Sequence, residues 1–445
     1  MTNKTEIVST EIVAIVGRPN VGKSVLFNKL VGYRQAITKD QPGVTRDLNY
    51  GVVEERGKHF TLIDTGGFEP ETTDYIMEQV RTQSLLAVEE ADQIIFVMDG
   101  REGLTHEDKT LADVLRKSGK TVYYVVNKLD TKDMEAETSE FYAIGVEEII
   151  PLSAEHGIGI SELLDKILDT IEDAPTEGEE EDSALSIAIV GRPNAGKSSL
   201  LNKIVGKERS IVSAVSGTTR DPIDTPFEID GTKYIFIDTA GIRKKTKVSQ
   251  TLENYCVVGA IKSIDRSDIC LLVIDGKEGV SSQDEKIGGL IEDRGKSVIV
   301  VINKWDVVEK ETNTQKKFIE EMHYKMPFLS YAPTVFLSAL TGKNIDKLIK
   351  AVGELRLEGG TEVSTSELNR VLESITRRHH HPVYQGREVR FYYATQIGTS
   401  PPKFMFFCNY PEGVAPSYKR YMVNSLREGL NLMNVPIKVI IRKKT

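Results

Sequence analysis

Segments able to wrap a phosphate chain occur twice in this sequence, as Gly17, Arg18, Pro19, Asn20, Val21, Gly22, Lys23, Ser24 and as Gly191, Arg192, Pro193, Asn194, Ala195, Gly196, Lys197, Ser198. Glycines let a loop close tightly around phosphate oxygens, and N–H groups at the start of a helix present a positive dipole to that charge. In this frame Lys23 and Lys197 reach the β- and γ-phosphates, while the hydroxyls of Ser24 and Ser198 ligate Mg²⁺. A single G-x-x-x-x-G-K-S match can be a glycine-rich turn beside a surface lysine; two in register make chance negligible.

Further chemistry follows in the same order in each copy. Thr45 in PGVTRD and Thr219 in SGTTRD lie in polar stretches suited to a mobile switch, where a hydroxyl joins the Mg²⁺ shell once a γ-phosphate draws the loop in. Asp64, Thr65, Gly66, Gly67 and Asp238, Thr239, Ala240, Gly241 end apolar runs; the carboxylates of Asp64 and Asp238 hold Mg²⁺ through water, and Gly67 and Gly241 leave an N–H for the γ-phosphate. Asn127, Lys128, Leu129, Asp130 and Asn303, Lys304, Trp305, Asp306 separate guanine from adenine. A carboxylate at Asp130 or Asp306 accepts from the N1–H and the N2 amino group of guanine, a donor pair adenine lacks. Asn127 and Asn303 tie that loop to the phosphate loop and approach the base, and the two lysines lie over its face. Ser153-Ala154 and Ser338-Ala339 place a backbone N–H near guanine O6. The sum is GTP, with GDP as product and Mg²⁺ as cofactor.

The elements that must position these groups are themselves duplicated. The phosphate loops and the DTGG and DTAG segments are 174 residues apart, NKLD and NKWD 176, and the Ser-Ala pairs 185. The growing offset puts about nine extra residues in the second copy between Asp306 and Ser338, in a polar stretch around Lys310 to Lys325 that reads as surface helix or loop. In both copies short runs that are apolar almost throughout (EIVAIVG, FTLIDT, QIIFVMD, TVYYVVN; SIAIVG, YIFIDT, ICLLVID, SVIVVIN) alternate with helical patterns, as in a largely parallel sheet covered on both faces. The expected division is a first domain over 1–172, an acidic linker over 173–183, a second domain over 184–356 and a different domain over 357–445. That last stretch reads helix, strand, strand, helix, strand, a small α+β domain.

Composition bounds the rest. A chain of 445 residues is too long for one core, and its net charge of −9 is uneven: from Leu357 onward 13 Lys and Arg face 7 acidic residues, a balance of +6. A basic end on an acidic chain suits a polyanion partner. The three cysteines, Cys256, Cys270 and Cys408, show no metal or disulfide spacing and read as small buried hydrophobes in a reducing compartment. No run reaches the ~18 apolar residues of a membrane span, so no membrane partner and a cytoplasmic location are expected. Monomer is the default state.

Two GRPNxGKS domains, the PGVTRD and GTTRD switches, DTGG and DTAG, NKxD twice, and a basic C-terminal segment containing YATQIGTSPPKFMFFCN together resemble the Der/EngA family of bacterial GTPases over nearly the whole chain. The resemblance implies two Era-like, Ras-like P-loop NTPase G domains in tandem, of α/β class, followed by a KH-like domain that packs against them as a sensor of their nucleotide state. It also implies GTP hydrolysis in assembly of the large (50S) ribosomal subunit, with rRNA as partner. Phe68 and Ile242 stand where many GTPases carry a water-orienting glutamine, and neither can do that work. Related GTPases with asparagine in this phosphate-loop position use K⁺, which makes Asn20 and Asn194 candidate K⁺ ligands; a turn-forming role for them is the alternative. Slow intrinsic turnover, below ~1 s⁻¹, is expected.

The second switch, GIRKKTKV, carries four basic residues where the first, GFEPETTD, carries three acidic ones, so the basic segment is expected to meet RNA or an acidic surface. No G-x-x-G occurs after Leu357, so the usual KH grip on a nucleic-acid backbone is missing. His379, His380 and His381 cannot converge on one metal and read as a loop. A tRNA-modification or metal-delivery GTPase lacks its catalytic cysteine or metal cluster here, and a nucleotide-gated scaffold with one inactive site sits poorly with two intact phosphate and Mg²⁺ sets.

Overall fold

The computed structural model describes residues 11–32, 49–56, 58–64, 91–130, 138–171, 184–207, 224–229, 232–237, 253–309, 311–379 and 383–444. The chain divides in the main into two compact units, one from residues 5–178 and one from 179–256 with 260–445.

In the first unit β1 (Glu11–Val16) is followed by the phosphate loop and α1 (Lys23–Gly32), then β2 (Asn49–Glu55), β3 (Lys58–Asp64), β4 (Gln93–Asp99), α2 (His106–Lys117), β5 (Thr121–Asn127), β6 (Ile150–Pro151) and α3 (Ile160–Thr170). The sheet order is β2-β3-β1-β4-β5-β6, with β2 antiparallel to β3 and the other pairings parallel. Every residue of β4 is buried, as a parallel strand covered on both faces requires. Helix α3 buries Ile160, Leu163, Leu164, Ile167 and Leu168, a 3.6-residue period, into a core shared with Ile15, Phe60 and Ile95.

The second unit repeats the plan with β7 (Leu185–Val190), α4 (Lys197–Lys207), β8 (Thr225–Ile229), β9 (Thr232–Phe236), α5 (Glu253–Asp265), β10 (Ile269–Asp275), α6 (Ser282–Arg294), β11 (Ser297–Asn303), α7 (Thr314–Lys325), β12 (Thr334–Phe336) and α8 (Ile345–Gly359). Its sheet, β8-β9-β7-β10-β11-β12, has the same order as the first, with β8 again antiparallel to its neighbour. The extra residues of this copy include α7, a mostly exposed helix that inserts Met322 into the interior.

The same unit continues into α9 (Thr365–Arg378), β13 (Phe391–Gly398), β14 (Lys403–Cys408), α10 (Pro416–Gly429) and β15 (Lys438–Lys443). Strand β14 pairs antiparallel with β13 and parallel with β15. Leu368, Leu372 and Ile375 of α9 and Tyr418, Met422 and Leu426 of α10 cover Phe404, Phe406 and Val439, and this core is continuous with that of the second repeat. Polar contacts fix the join: the Arg427 guanidinium lies 4.4 Å over the Tyr331 ring and donates to the carbonyls of Leu432, Met433 and Val435, and Lys438 Nζ donates to Arg294 O at 3.0 Å. Burial pushes the Lys438 ammonium down to about 8, helped by Lys403 and Lys296 nearby. Cys270 and Cys408 are buried thiols. His379 is an exposed helix-end residue whose ring meets Tyr421 edge-on at 4.8 Å; His380 and His381 lie outside the described residues.

Candidate guanine nucleotide sites

Each phosphate loop runs from the last residue of a central strand into the first turn of a helix, and its conformation is held by backbone that only certain residues tolerate. Gly22 and Gly196 have φ of +94° and +96°, and an added Cβ would lie 2.3 Å from the Asn127 amide nitrogen and 2.1 Å from that of Asn303. Asn20 and Asn194 adopt the left-handed region, at 64° and 63°, which asparagine enters at low cost.

Lys23 is buried, and its Nζ donates to the carbonyls of Gly17 (2.9 Å) and Arg18 (2.6 Å); Lys197 does the same to Gly191 and Arg192, at 2.7 Å each. Burial holds the Lys23 ammonium down at about 8, with Asp64 working against that shift. Ser24 Oγ donates to Asp64 Oδ2 at 2.7 Å, so hydroxyl and carboxylate converge as a divalent cation would need. Two oxygens at one point beside a lysine fit Mg²⁺ with a phosphate chain. In the second copy Ser198 is placed alike at the start of α4, and Asp238 lies outside the described residues, as do Thr45, Thr65, Gly66, Gly67, Phe68, Thr219, Thr239, Ala240, Gly241 and Ile242.

The base-reading loops are joined to the phosphate loops by one amide in each copy. Asn127 Nδ2 donates to Val21 O at 2.8 Å and its Oδ1 accepts from Ala154 N at 2.9 Å. Asn303 bridges Ala195 O and Ala339 N at the same two distances. Both asparagines are buried, so each acts as a tie between three loops, and the Ala154 and Ala339 N–H groups expected near guanine O6 are donated to those ties. Leu129 and Trp305 turn inward; Trp305 packs 4.5 Å from Phe336. Asp130 sits at the rim, accepting from Ser153 Oγ at 2.7 Å and from Arg101, and these two donors hold its carboxyl below the usual range. Asp306 is exposed.

Four residues that organise the sites, Asp99, Asp108, Asp275 and Asp284, went unread in the sequence. Asp99 and Asp275 end β4 and β10 and accept from Lys128 and Lys304, whose left-handed backbones (69° and 58°) aim them there; the Lys304 bond is 2.6 Å. Burial works toward protonating Asp99, but Lys128 and the N–H groups of Arg101 and Glu102 outweigh it and keep it ionised. Arg18 turns its guanidinium away from the loop it belongs to, donating to Asp108 (2.9 Å) and Glu102 (3.0 Å), and Arg192 pairs with Glu278 and Asp284. Asp108 and Asp284 close capping boxes on α2 and α6, so each arginine braces its phosphate loop against a helix start. The signals were present: VMDG and VIDG repeat at a 176-residue offset, and T-x-x-D and S-x-x-D precede the two helices.

A family model described as "50S ribosome-binding GTPase" matches residues 12–128 and again 186–304, and one described as "KH-domain-like of EngA bacterial GTPase enzymes, C-terminal" matches 362–442. GTPase Der of Trichlorobacter lovleyi is 49% identical over 431 residues, 97% of this chain and 96% of that protein. The chain belongs to the Der GTPase family. GTPase Der of Caldanaerobacter subterraneus subsp. tengcongensis is 47% identical over 437 residues, covering 98% and 99% of the two chains. A crystal structure of Era with MgGDPNP and 16S ribosomal RNA is 26% identical over 59% of this chain and 94% of that one, at a TM-score of only 0.30. As a Der-family member the chain is a GTPase built from tandem G domains with a KH-like domain after them. No helix among the described residues is long and apolar enough to cross a membrane.

Proposed function

We propose that both repeats bind guanine nucleotide with Mg²⁺ and hydrolyse GTP to GDP and phosphate, and that this cycle moves the protein on and off the large (50S) ribosomal subunit during its maturation. The reading rests on one observation: in both repeats a buried asparagine joins the phosphate loop to the base-reading loops through hydrogen bonds of the same lengths, 2.8 and 2.9 Å. A degenerate second site has no reason to keep that geometry. Support for the large subunit comes from the words "50S ribosome-binding GTPase" in the matching family model, and from the basic surplus after Leu357. In this reading the first G domain spans 1–172, 173–183 links it to the second at 184–356, and the KH-like domain spans 357–445. The protein works as a cytoplasmic monomer against rRNA.

In this reading each residue takes the role its type and spacing suggest. Lys23 and Lys197 would neutralise phosphate charge; Ser24, Asp64, Ser198 and Asp238, joined by Thr45 and Thr219 in the GTP state, would hold Mg²⁺; Asp130 and Asp306 would select guanine. Asn20 and Asn194 would hold part of a K⁺ ion, which would supply the charge stabilisation that a glutamine or an arginine finger supplies elsewhere.

Sedimentation of cell extract on sucrose gradients with a non-hydrolysable GTP analogue or with GDP tests the proposal. Nucleotide-dependent migration with large subunits is expected, and reversing Arg243, Lys244 and Lys245 to Glu should weaken it without changing GTP affinity. Migration that ignores the nucleotide, or follows the small subunit, overturns it.

A further inference from the structure

The two repeats differ in how the candidate base-reading carboxylate is held. In the first, the guanidinium of Arg101 donates to Asp130 Oδ2, while Ser153 holds Oδ1 and His156 Nε2 stands 3.7 Å from that oxygen. In the second, the matching residue is Lys277, and neither it nor Asp306 has an ion-pair partner among the described residues; Thr341 replaces the histidine. The turn after each strand is held alike: Arg101 N and Lys277 N each donate to the strand-end carboxylate, Asp99 or Asp275, at 2.9 Å. The anchoring of that turn therefore does not explain the contrast. The side chain does, because arginine offers a planar fork of donors that matches a carboxylate and lysine offers a point charge.

That fork has a chemical likeness to the ligand. The edge of guanine read by Asp130 is a ring N–H beside an exocyclic amino group on one carbon, which is itself a guanidine unit. We propose that Arg101 is an internal competitor for the guanine-reading carboxylate of the first site, and that it must swing away before guanine can be read there, whereas the second site is open. The inference rests on reading the first repeat as a guanine site. Because the Arg101 backbone is pinned to Asp99, only the side chain moves. Apparent affinity is lowered by the fraction of molecules with the carboxylate free. For an exposed ion pair that factor is about two- to fivefold.

The test exchanges the two residues in the full-length chain, with one site silenced at a time. In an Asp306→Asn background, fluorescent mant-GDP reports the first site; in an Asp130→Asn background it reports the second. Arg101→Lys should tighten the first site two- to fivefold, mainly by faster association, and Lys277→Arg should weaken the second by a similar factor. Circular dichroism melts confirm that each variant is folded. Unchanged or weaker binding in Arg101→Lys overturns the competitor while leaving the guanine site standing. Absence of mant-GDP binding in the folded Asp306→Asn chain overturns the two-site reading, and the competitor with it.

Discussion

Replacing Asn127 by Ala removes the tie between the phosphate loop and the base-reading loops, and its cost can be worked from the geometry. Two hydrogen bonds vanish, and the groups left behind, Val21 O and Ala154 N, belong to residues only 1% exposed. A buried backbone group deprived of its partner costs about 1–3 kcal/mol. Two such groups bound the loss at about 2–6 kcal/mol, and water entering the space left by the amide recovers part of it. A net of about 3 kcal/mol falls on the closed arrangement of loops that nucleotide requires, a loss of roughly 150-fold in GDP affinity. Titration of mant-GDP into the full-length chain, with Asp306→Asn silencing the second site, reads this directly. Asn127→Asp keeps the acceptor for Ala154 but sets a carboxylate against Val21 O, so it should do no better. Because Asn303 has the same bond lengths, Asn303→Ala in the Asp130→Asn background should lose affinity by the same factor within about threefold. A loss below fivefold in both alanine variants, with melting unchanged, would refute the reasoning.

Other expectations follow from single contacts. Gly196→Ala forces a Cβ to 2.1 Å from the Asn303 amide at φ +96° and should abolish the stabilisation of the second site by GDP in a thermal melt, whereas Gly206→Ala, in open space near the end of α4, should melt unchanged or slightly higher. Lys438, held near 8 by burial, binds fewer protons folded than unfolded between about pH 8 and its ordinary 10.5. The stability of the second unit should therefore rise across that window, and Lys438→Met should melt higher below pH 8 and flatten the rise in denaturant titrations against pH. GTP turnover should be slow, below ~1 s⁻¹, and faster in KCl than in matched NaCl; equal rates remove K⁺ from the mechanism.

Most of the chemistry was legible in the residue order because phosphate binding is local. A strand, a glycine loop, a lysine and a helix start are contiguous, so type and spacing suffice to place Lys23, Ser24 and their twins. The parallel strands were legible for a related reason: burial on both faces leaves unbroken apolar runs such as QIIFVMD. The antiparallel edge strands β2 and β8 escaped, since an edge covered on one side carries a weaker pattern, NYGVVEE and TPFEI. The helix, strand, strand, helix, strand order after Leu357 was legible, and α7 appeared where the polar insertion had suggested helix or loop.

Residue type and spacing thus determined that the chain is a GTPase, that its G domain occurs twice, and which elements carry the loops. Tertiary structure decided where the side chains of those motifs turn. It sent Arg18 and Arg192 to helix caps, Leu129 and Trp305 into the core, and both amide ends of Asn127 and Asn303 to the protein backbone. It also merged the core of the KH-like domain with that of the second repeat. Partners lying 84 and 144 residues away, Glu102 for Arg18 and Arg294 for Lys438, leave no local trace, because the free energy of a contact depends on distance in space and the sequence records only distance along the chain.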